Sequence, residues 1–134
     1  MIGIVLASHG GMCTGMKNTA KMLLGEEKPQ FEAVELYLDD APEVFQNKIR
    51  DAVEKADSGD GVIIFADLFG GTPNNQAVSL LSDKVKLVAG MNFPMILDLL
   101  CAREFKGDIT CYDLDEIVEI GRNGIYNVSG LLNK

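Results

Sequence analysis

The chain of 134 residues has no tryptophan, three tyrosines, three cysteines and a single histidine. Each shortage closes off a class of function. Few large rings are available to stack a flavin or a nucleobase. One histidine leaves no second imidazole for acid catalysis. The cysteines, Cys13, Cys101 and Cys111, are odd in number and form no CxxC pair, so they suggest neither a disulfide framework nor a zinc site. A reducing compartment is expected. Cys101 and Cys111 sit in apolar sequence and read as packed thiols. Cys13 follows the histidine, but with no second imidazole to activate it, it reads as a bystander. No metal or cofactor is expected.

Positive charge is also scarce: 12 Lys and Arg stand against 20 Asp and Glu, for a net charge of -8 and a pI near 4.5. A nucleic-acid surface needs clustered cations, so that class is set aside. The acidity suits a basic protein partner, and equally it serves solubility. No apolar run is long enough to span a bilayer. The amino terminus enters the first predicted strand with no basic leader. The expectation is a cytoplasmic protein with a single domain over residues 1–134.

What is present is a repeating order of elements. Gly3-Ile4-Val5-Leu6-Ala7-Ser8 reads as a buried strand and is followed at once by His9, Gly10 and Gly11. Thr14 can cap a helix carrying Met16, Ala20, Leu23 and Leu24, with Gly25 as its stop. Phe31 to Leu38 reads as a second strand. Asp40-Ala41-Pro42-Glu43 opens a second helix, which runs to Ala56. Val62 to Ala66 is an unbroken apolar strand, as in a parallel sheet covered on both faces. It ends in Asp67-Leu68-Phe69-Gly70-Gly71-Thr72-Pro73: a carboxylate, a glycine turn, then a helix start with Thr72 as cap. Val85 to Ala89 is a fourth strand, and Asn92 caps a further helix through Ala102. Beyond Gly107 the pattern weakens. Ile109 to Tyr112 is a short strand or connector, Asp115 to Arg122 a helix, and Ile125 to Val128 a last strand.

This alternation predicts an α/β fold with a doubly wound, mostly parallel sheet and strand order 2-1-3-4. The first and third strands diverge at the switch point, where such sheets bind ligands. Their carboxyl ends carry His9 and Asp67. If Asp67 accepts the N–H of one ring nitrogen, the tautomer is fixed and the other nitrogen keeps a bare lone pair. A histidine nucleophile without serine or metal suits phosphoryl transfer. Backbone N–H groups around Gly10-Gly11 and Gly70-Gly71, the Thr72 hydroxyl and the helix beginning at Pro73 are the expected donors to the phosphoryl oxygens. Neither loop contains Lys or Arg, so a permanent phosphate clamp is not expected. Each feature alone also has a structural reading: a surface histidine, a turn, a helix cap.

Ser8-His9-Gly10, Asp67-x-x-Gly70-Gly71-Thr72-Pro73 and Met91-Asn92-Phe93-Pro94 together resemble the IIA component of the mannose family of the bacterial phosphoenolpyruvate-dependent sugar phosphotransferase system (PTS). The resemblance runs through essentially the whole chain. It implies that His9 accepts a phosphoryl group from HPr and passes it to a IIB component, which phosphorylates the sugar brought in by the membrane IIC and IID subunits. Asp67 would orient His9, and Thr72 would donate to the phosphoryl group. The resemblance also implies a homodimer in which a carboxyl-terminal antiparallel strand, here Ile125 to Val128, is exchanged between copies. With the chain ending at Lys134, it implies a IIB partner on a separate polypeptide, and a protein peripherally associated with the membrane transporter.

Other classes share part of this pattern. A histidine phosphatase lacks the Arg before His9 and a second histidine. A receiver domain phosphorylated on Asp67 would need acids after the first strand. A flavin- or nucleotide-binding module fits the small, polar Ser8 to Gly15 loop, but Asp67 would repel an anion. A regulatory IIA domain, or one serving dihydroxyacetone phosphorylation, would share the same motifs.

Overall fold

The computed structural model describes residues 1–134. The elements in chain order are β1 (Gly3–His9), α1 (Met12–Leu24), β2 (Phe31–Leu36), α2 (Pro42–Ala56), β3 (Val62–Ala66), α3 (Thr72–Val78), β4 (Val85–Ala89), α4 (Phe93–Ala102), a 3-10 turn (Ile109–Cys111), α5 (Leu114–Asn123) and α6 (Val128–Leu131). The four strands form one parallel sheet in the order β2-β1-β3-β4, as the sequence pattern requires.

The central strands have no polar face because helices cover both sides. On β1, Ile4 and Leu6 pack into a core with Phe65 of β3, Ile96 and Leu100 of α4, and Ile117 of α5. The alternate residues Val5 and Ala7 pack with Phe45, Ile49 and Val53 of α2 and Ala77 of α3. Strand and helix approach closely where β1 begins: a Cβ at Gly3 would lie 2.5 Å from the Ala56 carbonyl oxygen.

One charge is buried in this sandwich. Arg103 is 1% exposed and has no carboxylate partner. Its guanidinium donates to the carbonyls of Ile2, Gln30 and Pro29 instead, tying the start of β1 to the chain entering β2. Burial pushes its pKa down from the ordinary arginine value.

The structure departs from the sequence reading at several element ends. α1 begins at Met12, and Thr14 does not cap it; its hydroxyl donates to Glu35 Oε2 at 2.5 Å. Asp40 precedes α2 but accepts from the Tyr37 N–H, at 2.9 Å, rather than from the helix. Thr72 is the first residue of α3 and Gly71 its N-cap, with no side-chain cap. Ile109–Cys111 is a 3-10 turn, begun by the Asp108 side chain accepting from the Thr110 N–H at 2.9 Å. Cys101 and Cys111 are exposed, not packed. Ile96, Leu99 and Leu100 set the buried stripe of α4, so the next position turns outward. No last strand forms within the chain: Ile125 to Asn127 join no sheet, and the Asn127 carboxamide accepts from the Gly130 N–H to open α6.

Candidate active site

The β1–β3 register runs from Gly3 opposite Val62 to Ala7 opposite Ala66. The ladder continues one step further, with the Asp67 N–H donating to the Ala7 carbonyl at 3.2 Å. Parallel pairing therefore delivers His9 and Asp67 to the same end of adjacent strands. Asp67 Oδ2 accepts twice from His9: from the backbone N–H at 2.9 Å and from ring Nδ1 at 2.8 Å. A carboxylate only accepts, so Nδ1 carries the proton and Nε2 presents its lone pair. Nε2 has no partner within the chain. The His9 side chain is 50% exposed and that of Asp67 only 11%. The acid is thus sheltered while the imidazole faces solvent.

The ring rests on the second glycine turn. A Cβ at Gly71 would lie 2.9 Å from His9 Cε1, so this position needs a residue without a side chain. Gly70 has φ of +82°, a conformation that glycine adopts at little cost. His9, Gly10 and Thr72 open onto a cleft of about 530 Å³, with Leu36, Tyr37, Leu38, Asp40 and Pro42 as its far wall.

The four residues expected around a phosphoryl group differ in what they have free. The Gly10 N–H donates to the Leu36 carbonyl at 2.9 Å, and the Gly71 N–H to the Leu68 carbonyl at 3.2 Å. The Gly70 and Thr72 N–H groups have no acceptor within the chain. So do the N–H groups of Gly11 and Met12 at the start of α1. Gly10, with φ of +55°, makes the turn rather than offering a donor.

Some contributors escaped the sequence reading. Ser8 is fully buried, and its hydroxyl donates to the Gly10 carbonyl at 3.0 Å while accepting from the Cys13 N–H at 2.9 Å. It braces the loop that follows His9; a buried hydroxyl at a strand end beside a tight turn was the available signal. Cys13 is buried beneath that loop, its thiol 3.4 Å from the Val34 carbonyl. Lys48, distant in sequence, ion-pairs with Asp40 at 2.9 Å and lies 4.3 Å from the centre of the Tyr37 ring. Its hydrogen bond, with that from the Tyr37 N–H, holds Asp40 below the usual carboxylate pKa. Leu38 lines the cleft as an exposed apolar side chain, and Leu68 and Phe69 stand exposed in the Asp67 loop. Large apolar residues inside turns were the signal for them.

Residues 3–112 match the family model described as "PTS system fructose IIA component". The chain belongs to the mannose family of PTS IIA components. This IIA protein is 30% identical over 106 residues to the fructose-specific EIIA component of Bacillus subtilis, covering 78% of this chain and 72% of that one. It is 32% identical over 128 residues to the mannose-specific EIIAB component of Escherichia coli, covering 92% of this chain but only 38% of that longer protein. Among solved structures, the PTS IIA protein associated with the fucose utilization operon of Streptococcus pneumoniae superposes with a TM-score of 0.85 at 34% identity. That match covers 97% of this chain and 95% of the other. IIA components of this system act in phosphoryl transfer, and no helix of this one is long and apolar enough to cross a membrane.

Proposed function

We propose that this protein is a phosphocarrier of a bacterial sugar PTS, working as a single cytoplasmic domain over residues 1–134. The observation that carries the reading is the 2.8 Å contact between His9 Nδ1 and Asp67 Oδ2, which leaves Nε2 bare at the mouth of the cleft. In the first step, the Nε2 lone pair attacks the phosphorus atom carried by phospho-HPr. The N–P bond forms as the donor's bond to phosphorus breaks, and that electron pair stays with the donor. The imidazole gains positive charge, which the adjacent Asp67 carboxylate stabilises without taking the proton. The second step reverses these roles with a IIB component as acceptor, and IIB then serves sugar brought in by membrane IIC and IID subunits.

The oxygens of the transferring group would meet the Thr72 hydroxyl and N–H and the Gly70 N–H, near the start of α3. No cation faces them unpaired, since Lys48 is engaged by Asp40. A site without a fixed cation favours passage over retention. Tyr37 and Leu38, exposed at the cleft wall, are surface that a protein donor or acceptor must cover for direct transfer. The working form is a homodimer built through the carboxyl-terminal segment.

The test is an intact mass spectrum after incubation with phosphoenolpyruvate, enzyme I and HPr. The expected result is a gain of one acid-labile phosphoryl group that His9→Ala abolishes. No gain in the presence of an active HPr would overturn the carrier reading, as would a gain that survives His9→Ala.

A further inference from the structure

The turn beneath His9 is held by a side chain with no part in the chemistry. Asn75 lies in the first turn of α3 and is exposed, so packing does not account for it. It is nonetheless committed at every polar group that can reach the turn. Its Nδ2 donates to the Gly70 carbonyl at 3.1 Å, and its backbone N–H donates to the Gly71 carbonyl at 2.9 Å. Its Oδ1 accepts from Nδ2 of Asn74 at 3.1 Å. Asn74 is 5% exposed, so the clamp is referred to a residue fixed in the core.

One residue thus holds two consecutive carbonyls, and they belong to the stretch that touches the ring. Gly71 is the backbone on which the imidazole rests: a Cβ there would lie 2.9 Å from Cε1 and 3.7 Å from Nε2 of His9. Gly70 sits in a left-handed conformation that a free glycine would leave readily. A carboxamide suits the post because it donates and accepts at once; a carboxylate accepts only and would face the Gly70 carbonyl with like charge.

We propose that Asn75 is a positioning residue for phosphoryl transfer. By fixing the Gly70-Gly71 turn, it holds the face of the His9 ring, keeps Nδ1 on Asp67 and keeps Nε2 aimed into the cleft. The inference rests on the carrier reading for its rate readout but not for its structural one.

The chain has one histidine, so its two ring nitrogens can be followed by ¹⁵N NMR without ambiguity. Asn75→Asp and Asn75→Ala are compared with the parent by ring ¹⁵N shifts, melting temperature and rate of phosphoryl gain from phospho-HPr. The expectation is an unchanged melting temperature in both variants. The ring shifts move from the Nδ1–H pattern toward an average of the two tautomers, and the rate falls roughly tenfold or more, as misplacement of a reacting group by a fraction of an ångström would produce. Unchanged ring shifts, or an unchanged rate, in both variants would overturn the proposal. So would a lowered melting temperature with the Nδ1–H pattern intact, since that is a structural role alone. If the parent takes up no phosphoryl group, the carrier reading fails separately and the ring shifts still decide whether Asn75 positions His9.

Discussion

Asp67 does two things with one oxygen, and this decides what its amide would do. The His9 backbone N–H and ring Nδ1–H both point at Oδ2, while Oδ1 is buried without a partner. In Asp67→Asn the amide must keep its oxygen toward these two donors, because turning its NH2 there would oppose the backbone N–H. The tautomer is therefore retained and only the negative charge is lost. A hydrogen bond to a charged group is worth roughly 1.5–3 kcal/mol, so transfer should slow by roughly 10- to 100-fold rather than stop. Single-turnover transfer from phospho-HPr measures this; equal rates would remove the charge from the mechanism. Gly71→Ala acts on the same ring sterically. Its Cβ at 2.9 Å from Cε1 must displace the imidazole from Asp67, so a loss of transfer at least as large is expected, with ring ¹⁵N shifts reporting both tautomers. An unchanged Nδ1–H signal would show that the turn yields instead of the ring. That His9 and Asp67 would meet was legible in the sequence, because parallel strands deliver their carboxyl ends to one side of the sheet. The roles of Ser8 and Asn75 were not, since serine and asparagine at turns have many ordinary uses.

At the scale of elements, strands and helices were legible wherever burial is complete. Val62 to Ala66 has no polar residue because both its faces are covered, and it forms a strand over the full run. Ends were legible where the local chemistry left one option: Gly25 closes α1 with φ of +80°, as expected of a glycine stop. Asn92 does cap α4, accepting from the Met95 N–H at 3.3 Å, and also donates to the Gly121 carbonyl at 2.7 Å. Gly121, inside the helix expected over Asp115 to Arg122, is where α5 presses on Met95 of α4. Thr14 and Asp40 had competing partners in Glu35, Tyr37 and Lys48, which no local pattern reveals. Close approach of elements also sets a prediction. Gly3→Ala would place a Cβ 2.5 Å from the Ala56 carbonyl oxygen, against backbone that cannot swing aside. Forced overpacking costs about 1–3 kcal/mol, and the contact with backbone puts this case at the upper end. Chemical denaturation should show a lower midpoint with an unchanged slope. A loss below about 0.5 kcal/mol would mean that α2 can slide on the sheet.

At the scale of the whole molecule, the sheet has two edges and an apolar tail that nothing in the single chain covers. β4 is an edge strand beside a groove lined by Phe69, Val78, Leu81, Leu87, Leu114 and Val118. The tail exposes Ile125, Tyr126, Val128, Leu131 and Leu132. An unpaired edge next to exposed apolar groups invites association, and proteins that remain soluble bury such surface in a defined contact. A proposed dimer that places each tail on the other copy would cover both. It would require residues 125–128 to leave the turn opened by Asn127, exchanging the Gly130 N–H bond to the Asn127 side chain and the backbone bonds from Leu131 to Asn127 and from Leu132 to Val128 for bonds to the other copy. Deletion of residues 125–134 should then convert a dimer into a monomer on sizing with light scattering. Because His9 ends β1, Asp67 follows β3 and Thr72 begins α3 of the same chain, the shortened protein should still gain its phosphoryl group from phospho-HPr. A dimer that persists after the deletion would place the contact elsewhere. A monomer that no longer accepts the group would mean that covering Phe69, at 83% exposed in the Asp67 loop, is part of building the site.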